Sequence, residues 1–224
     1  MNKKVLFVAV HPDDETLGCG GTMIKLSRAG YDLFWLILTE AKPGSGWSDQ
    51  FIAERKLEIG QISSRFTIKE TRILGFPTTH LDTIAMGELI KAISDVIQEI
   101  RPCMVFLPNH TDIHTDHKVG FEASFSACKN FRAPFIEKIY MYECLSETEF
   151  AAPFSQFAFT PNVFFDISPF IQEKIEAMKE YKSEIRESPF PRSDKIITSL
   201  AALRGSRIGV DYAEAFSLVF SSTI

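Results

Sequence analysis

Val5–Glu15 reads VLFVAVHPDDE: six apolar residues, then a histidine, a proline and three consecutive carboxylates. An apolar run without alternation fits a strand covered on both faces, as in a parallel sheet. Asp13, Asp14 and Glu15 at the end of such a strand repel one another and lose hydration unless positive charge sits among them. A metal ion would supply it. A second apolar strand, Cys103–Leu107, runs into Asn109-His110-Thr111-Asp112-Ile113-His114-Thr115-Asp116-His117. Two strands of one sheet, each ending in His and Asp, predict a metal site.

Working outward, strand and helix patterns alternate. Gly18, Gly20 and Gly21 open a predicted helix to about Ala29, stopped by Gly30. Strands are expected at Asp32–Thr39, Thr71–Phe76 and Lys138–Cys144. Helices are expected at Asp49–Phe66, Ile84–Ile100 and Asp116–Lys129. This order predicts an α/β chain with a Rossmann-like, doubly wound, mostly parallel sheet and helices on both faces. Ligands bind such sheets outside the carboxyl ends of the strands, where the winding reverses. Both polar clusters lie at carboxyl ends. Residues 1–145 read as this core and 146–224 as a small C-terminal α+β extension, together one domain. The extension is expected to hold a strand at Asn162–Ile167, a long helix at Pro169–Ile185, a shorter helix at Asp194–Arg204 and a strand at Ala215–Phe220. Phe150, Phe154, Phe157 and Phe159 read as core or as a contact between copies of the chain, which makes a homo-oligomer the expectation.

Composition narrows the function classes. A chain of 224 residues, 45% hydrophobic, can bury one substantial core. A net charge of −5 with no basic run speaks against nucleic acid or an anionic membrane as partner. The first residues do not read as a signal peptide, and no stretch approaches the ~18–20 apolar residues of a membrane span. Cys19, Cys103, Cys128 and Cys144 are scattered, without a C-x-x-C pair, and read as free thiols of a cytoplasmic protein.

Adjacent side chains leaving a strand end point in different directions. One of Asp13 and Asp14 can therefore bind a metal with His11 while the other faces the open coordination position. His114 and His117, three apart, share a face if a helix begins there; one can ligate while the other hydrogen-bonds a substrate oxygen. Three protein ligands and an open position are the pattern of a catalytic zinc. Asp112 reads as a loop or cap residue, and His80 and His110 as surface histidines. The glycine run reads as a place where helix and strand pack closely rather than as a phosphate cradle, since the neighbouring acids would repel phosphate.

The strand with His11-Pro12-Asp13-Asp14-Glu15 and the segment RPCMVFLPNHTDIHTDH (Arg101–His117) together resemble the PIG-L/LmbE-like zinc N-deacetylases, in their bacterial, cytoplasmic branch. Arg55 and Glu58 match that family's Arg-x-x-Glu, Asp82 its loop aspartate, and Arg204-Gly205 with Tyr212–Phe216 its C-terminal segment. After Thr39 this chain has Glu40-Ala41-Lys42, where relatives often carry Gly-Glu. The resemblance implies one zinc ion on His11, Asp14 and His117, and Asp13 as general base. It implies His114, as imidazolium, stabilising the oxyanion, with Asp116 orienting it. Arg55 and Asp82 would contact substrate, although Arg55 also stands one helical turn from Glu58 and can pair with it instead. The expected function is zinc-dependent removal of an N-acetyl or similar small acyl group from an N-acetylglucosamine-type amino sugar. The rivals are a metallo-phosphoesterase, which would need more cations near the acids, and a catalytically silent sugar- or metal-binding protein, which would need neither Asp13 nor His114.

Overall fold

The structure is a computed structural model, describing residues 3–223. Seven strands form one sheet in the order β3-β2-β1-β4-β5-β7-β6. They are β1 (Lys4–Ala9), β2 (Asp32–Glu40), β3 (Glu70–Pro77), β4 (Met104–Pro108), β5 (Lys138–Tyr142), β6 (Val163–Asp166) and β7 (Ala213–Ser221). The first five run parallel, while β7 lies antiparallel to both β5 and β6. The helices are α1 (Asp14–Arg28), α2 (Asp49–Arg65), α3 (Met86–Ile100), α4 (Thr115–Ala127), α5 (Ile171–Met178) and α6 (Asp194–Ser206).

Alternate residues of β1 face two cores. Val5, Phe7 and Ala9 pack with residues of α1, α2, α5 and α6, and Leu6, Val8 and Val10 with residues of α3 and α4. The doubly wound architecture expected from the sequence is present. Its winding reverses between β1 and β4, the position predicted to hold the site. The C-terminal extension does not fold apart from this sheet: β7 pairs with β5 and carries β6 on its outer side.

Two helices differ from the sequence expectation. α1 begins at Asp14, four residues before the glycines, which lie inside it and let it close on its neighbours. A Cβ at Gly18 would sit 2.3 Å from the Tyr142 ring, and one at Gly21 would sit 2.7 Å from the Ile167 side chain. The long helix expected over Pro169–Ile185 ends at Met178. Beyond it, Tyr181 donates its hydroxyl to Glu15 and the Lys182 N–H bonds Glu58, so tertiary partners override the helical pattern. Phe150 and Phe154 are 58% and 61% exposed and Phe157 and Phe159 half-buried, so these rings do not fill this chain's core.

Candidate metal centre and catalytic cavity

The turn after β1 presents His11, Asp13 and Asp14 at the crevice, and the β4–α4 segment brings His114, Asp116 and His117 against them. Asp14 is pinned from behind: its Oδ2 accepts the backbone N–H groups of Val10 and His11 at 3.0 and 2.8 Å. Its Oδ1 lies 3.3 Å from His117 Nε2, and its Oδ2 lies 4.0 Å from His11 Nδ1. Burial acts to raise the Asp14 pKa, but His117 and His11 and their hydrogen bonds hold it below the usual carboxylate range.

Each imidazole is oriented by a carboxylate on its far nitrogen. His11 Nε2 lies 3.2 Å from Asp116 Oδ2, and His117 Nδ1 lies 2.8 Å from Asp112 Oδ2. These contacts leave His11 Nδ1 and His117 Nε2 facing Asp14, the arrangement in which outer carboxylates fix the tautomer of metal-binding histidines. One ligand atom from each of His11, Asp14 and His117 lies within 4.8 Å of the others. The set His11, His114 and Asp116 meets the same distance. There, however, Asp116 already accepts from the N–H groups of Thr79 and Leu81, and His114 Nδ1 accepts the N–H of Asp116. Burial disfavours charge on His117, yet Asp14 and Asp112 push its pKa well up, so this corner draws positive charge. Two nitrogens and a carboxylate, buried at Asp14 and His117 and half-buried at His11, fit a divalent ion.

Asp116 is expected to orient His114, but its carboxylate serves His11 and the β3–α3 loop, and only its backbone N–H meets His114. The hydrogen bonding at His114 favours a neutral imidazole over the imidazolium expected. An imidazolium donates from both nitrogens, whereas His114 Nδ1 accepts. Burial, together with the rings of His11 and His117, lowers its pKa to about 4. With Nδ1 accepting, Nε2–H is the donor that His114 has left.

Asp13 holds φ at 134°, a sparsely populated backbone region typical of strained functional positions. Burial raises its pKa to about 7, with Arg192 opposing and Asp14 adding to the rise. Glu15 lies beneath: its carboxylate accepts from the Asp13 N–H, the Thr16 hydroxyl and the Tyr181 hydroxyl. Burial raises its pKa to about 8.

A cavity of about 210 Å³ opens in front of these groups, lined by His11, Asp13, Asp14 and His114 on one side and by residues of α2 and the β2–α2 loop on the other. Arg55 lines it, but its guanidinium is committed to the Pro12 carbonyl, Ser183, Glu184 and, at 3.4 Å, Glu58. The ion pair with Glu58 is present, and Arg55 also braces the loop that carries Asp13. Asp82 is exposed and is not among the cavity-lining residues, where Thr78 and Thr79 stand instead. His80 and His110 are exposed, as expected.

Sequence reading missed three contributors. Asp112 is fully buried and held by Asn109 and Thr148; its place between two histidine positions was the available signal. Arg192 reaches Asp13 at 2.7 Å and Glu184 at 2.7 Å from far along the chain. Tyr181 supports Glu15, and nothing local in the sequence marks either residue.

The family model described as PIG-L, GlcNAc-PI de-N-acetylase, matches residues 6–128. Diacetylchitobiose deacetylase of Thermococcus kodakarensis is 30% identical over 229 residues, covering 97% of this chain and 83% of that protein. A probable N-acetyl-alpha-D-glucosaminyl L-malate deacetylase 2 of Bacillus anthracis is 24% identical, with 81% of each chain covered. The crystal structure of a conserved protein from Thermus thermophilus superimposes with a TM-score of 0.79 at 27% identity, over 98% of this chain and 96% of that one.

Proposed function

The chain belongs to the PIG-L family of GlcNAc-PI de-N-acetylase-like proteins, and from that premise we propose a zinc-dependent deacetylase of N-acetylglucosamine-type amino sugars. The observation that carries this reading is the convergence of His11, Asp14 and His117 on one point of a cavity that also holds Asp13 and His114. His11 Nδ1, Asp14 and His117 Nε2 would hold the ion. When bound, it would acidify a water and polarise the acetamide carbonyl.

Asp13 takes a proton from the attacking water at its carboxylate. Burial raises its pKa above the usual carboxylate range, which makes it basic enough to take that proton. His114 donates Nε2–H to the carbonyl oxygen as negative charge develops there, pre-placed and neutral. The proton gathered by Asp13 is then available to the departing amine nitrogen, so water and the amide become acetate and a free amine. Arg192 holds the Asp13 carboxylate in place, and Glu15 fixes its backbone N–H.

Further readings follow from the same features. No helix of the described residues is long and apolar enough to cross a membrane. The four free cysteines support placing the enzyme in the cytoplasm. The exposed Phe150 and Phe154 support self-association.

The test is acetate release from a panel of N-acetylated amino sugars and their glycosides. Activity should vanish after chelation and return with zinc. Turnover by a metal-free preparation, or no release from any acetamido sugar by the zinc-loaded protein, would overturn the reading.

A further inference from the structure

The cavity has a second lobe that the reaction does not use. Ser48 caps α2, its Oγ accepting the Phe51 N–H at 3.1 Å, which fixes Phe51 in the first turn. Trp47, just before the cap, stacks on Phe51 with ring centroids 4.7 Å apart and planes 20° from parallel. Packing of the residue before the cap on the first turn of the helix explains that contact. It does not explain why Trp47 remains 37% exposed while lining the cavity, or why Ile73 on the neighbouring edge strand remains 40% exposed there. Ile52 and Ile59 complete an apolar wall continuous with the catalytic groups.

The guanidinium charge on this side is already matched. Both guanidinium groups lining the cavity, Arg55 and Arg192, are ion-paired with carboxylates. Glu40, Glu147 and Glu184 line it as well, so an added anion meets acids and paired cations. Lys56 is exposed at the rim.

We propose that this lobe is the subsite for the group attached to the amino sugar, and that this aglycone presents an uncharged, flat ring face to Trp47. An indole face carries negative quadrupole charge and attracts the C–H face of a pyranose or the edge or offset face of an arene. The proposal rests on the deacetylase reading for the sugar's position, and its test separates the two.

The zinc-loaded protein and its Trp47→Ala and Trp47→Phe variants are compared on four N-acetylglucosaminides. Their aglycones are methyl, phenyl, a second N-acetylglucosamine, and malate. The wild type should favour at least one ring aglycone over methyl by about tenfold in kcat/KM, carried by KM. Trp47→Ala should collapse that ratio to within about twofold, and Trp47→Phe should keep most of it. The phenyl and disaccharide arms show whether the ring is an arene or a sugar. Binding is read independently by quenching of Trp47 emission, since the other tryptophan, Trp35, is fully buried. Equal kcat/KM across the aglycones, a preference for malate, or absence of quenching by both ring glycosides would overturn the subsite. Quenching by a ring glycoside with no acetate released from any substrate would overturn the deacetylase reading and leave the subsite standing.

Discussion

Replacing Asp13 with asparagine should abolish turnover and stabilise the metal-free protein. Asp13 is 4% exposed, and its pKa rises to about 7 against about 3.9 for an unfolded chain. The folded state thus binds this proton more tightly than the unfolded state. The penalty for folding around the charge is absent below about pH 4, grows as pH rises toward 7, and is complete above it. That rise gives about 4 kcal/mol at pH 8, and a smaller penalty at pH 5. Asparagine lacks the charge, can still accept from Arg192, and tolerates the positive φ about as well as aspartate. Urea unfolding of chelator-treated protein at pH 5 and pH 8 checks this. The Asp13→Asn variant should be the more stable at both, with a gain larger at pH 8 by about 2–3 kcal/mol. With zinc restored, the variant should bind metal and lose about 10²–10⁴ in kcat. A variant less stable than wild type, or a gain independent of pH, would refute the charge argument; near-normal turnover would refute the role of base.

Asp112→Ala should weaken zinc binding about 10–100-fold by freeing the His117 ring, measured in competition with a chromogenic chelator. His114→Ala should retain metal while kcat falls about 10²–10³-fold; a neutral His114 also adds no ionisation of its own to the kcat profile near pH 6, which a pH series on the wild type checks. Arg192→Gln removes the cation that opposes the raised Asp13 pKa. Activity needs ionised Asp13, so the rising limb of the pH–kcat/KM profile should move to higher pH in that variant.

The sheet and its two polar strand ends were legible because each is written locally. Val5–Val10 can only be a strand covered on both faces, and a winding reversal puts its end beside that of β4. Those two ends bring His11, the Asp13–Asp14 pair and the His114/His117 pair together, and it was the family resemblance that singled out Asp14 and His117. What could not be read is what each polar atom bonds once placed. Asp116 and His114 are two residues apart, yet the carboxylate turns to His11, and only the backbone N–H meets His114. That reversal decides the tautomer, and with it whether the oxyanion meets a cation or a neutral donor. Spacing along a chain carries no record of it. The expected helix over Pro169–Ile185 failed for a related reason: its local pattern is helical, but Tyr181 and Lys182 have better partners across the molecule.

The same contacts explain why the C-terminal third belongs to the site. Glu214 of β7 accepts the N–H groups of Gly21 and Thr22 in the middle of α1, at 2.9 and 2.7 Å. Lys174 of α5 donates to the Leu17 carbonyl and to Glu214, so a buried ion pair is inserted where α1 would otherwise bond Gly21 to Leu17. Arg204 pairs with Glu143 just past β5. With the tail anchored on α1 and β5, the segment between α5 and α6 is held over the first turn of α1, where Tyr181 meets Glu15 and Arg192 meets Asp13. A chain ending after β5 would keep His11, Asp14 and His117. It would leave Asp13 beside Asp14 without the guanidinium that offsets their repulsion, and Glu15 without its phenol. The first half supplies the proposed ligands, and the tail sets the electrostatics around Asp13.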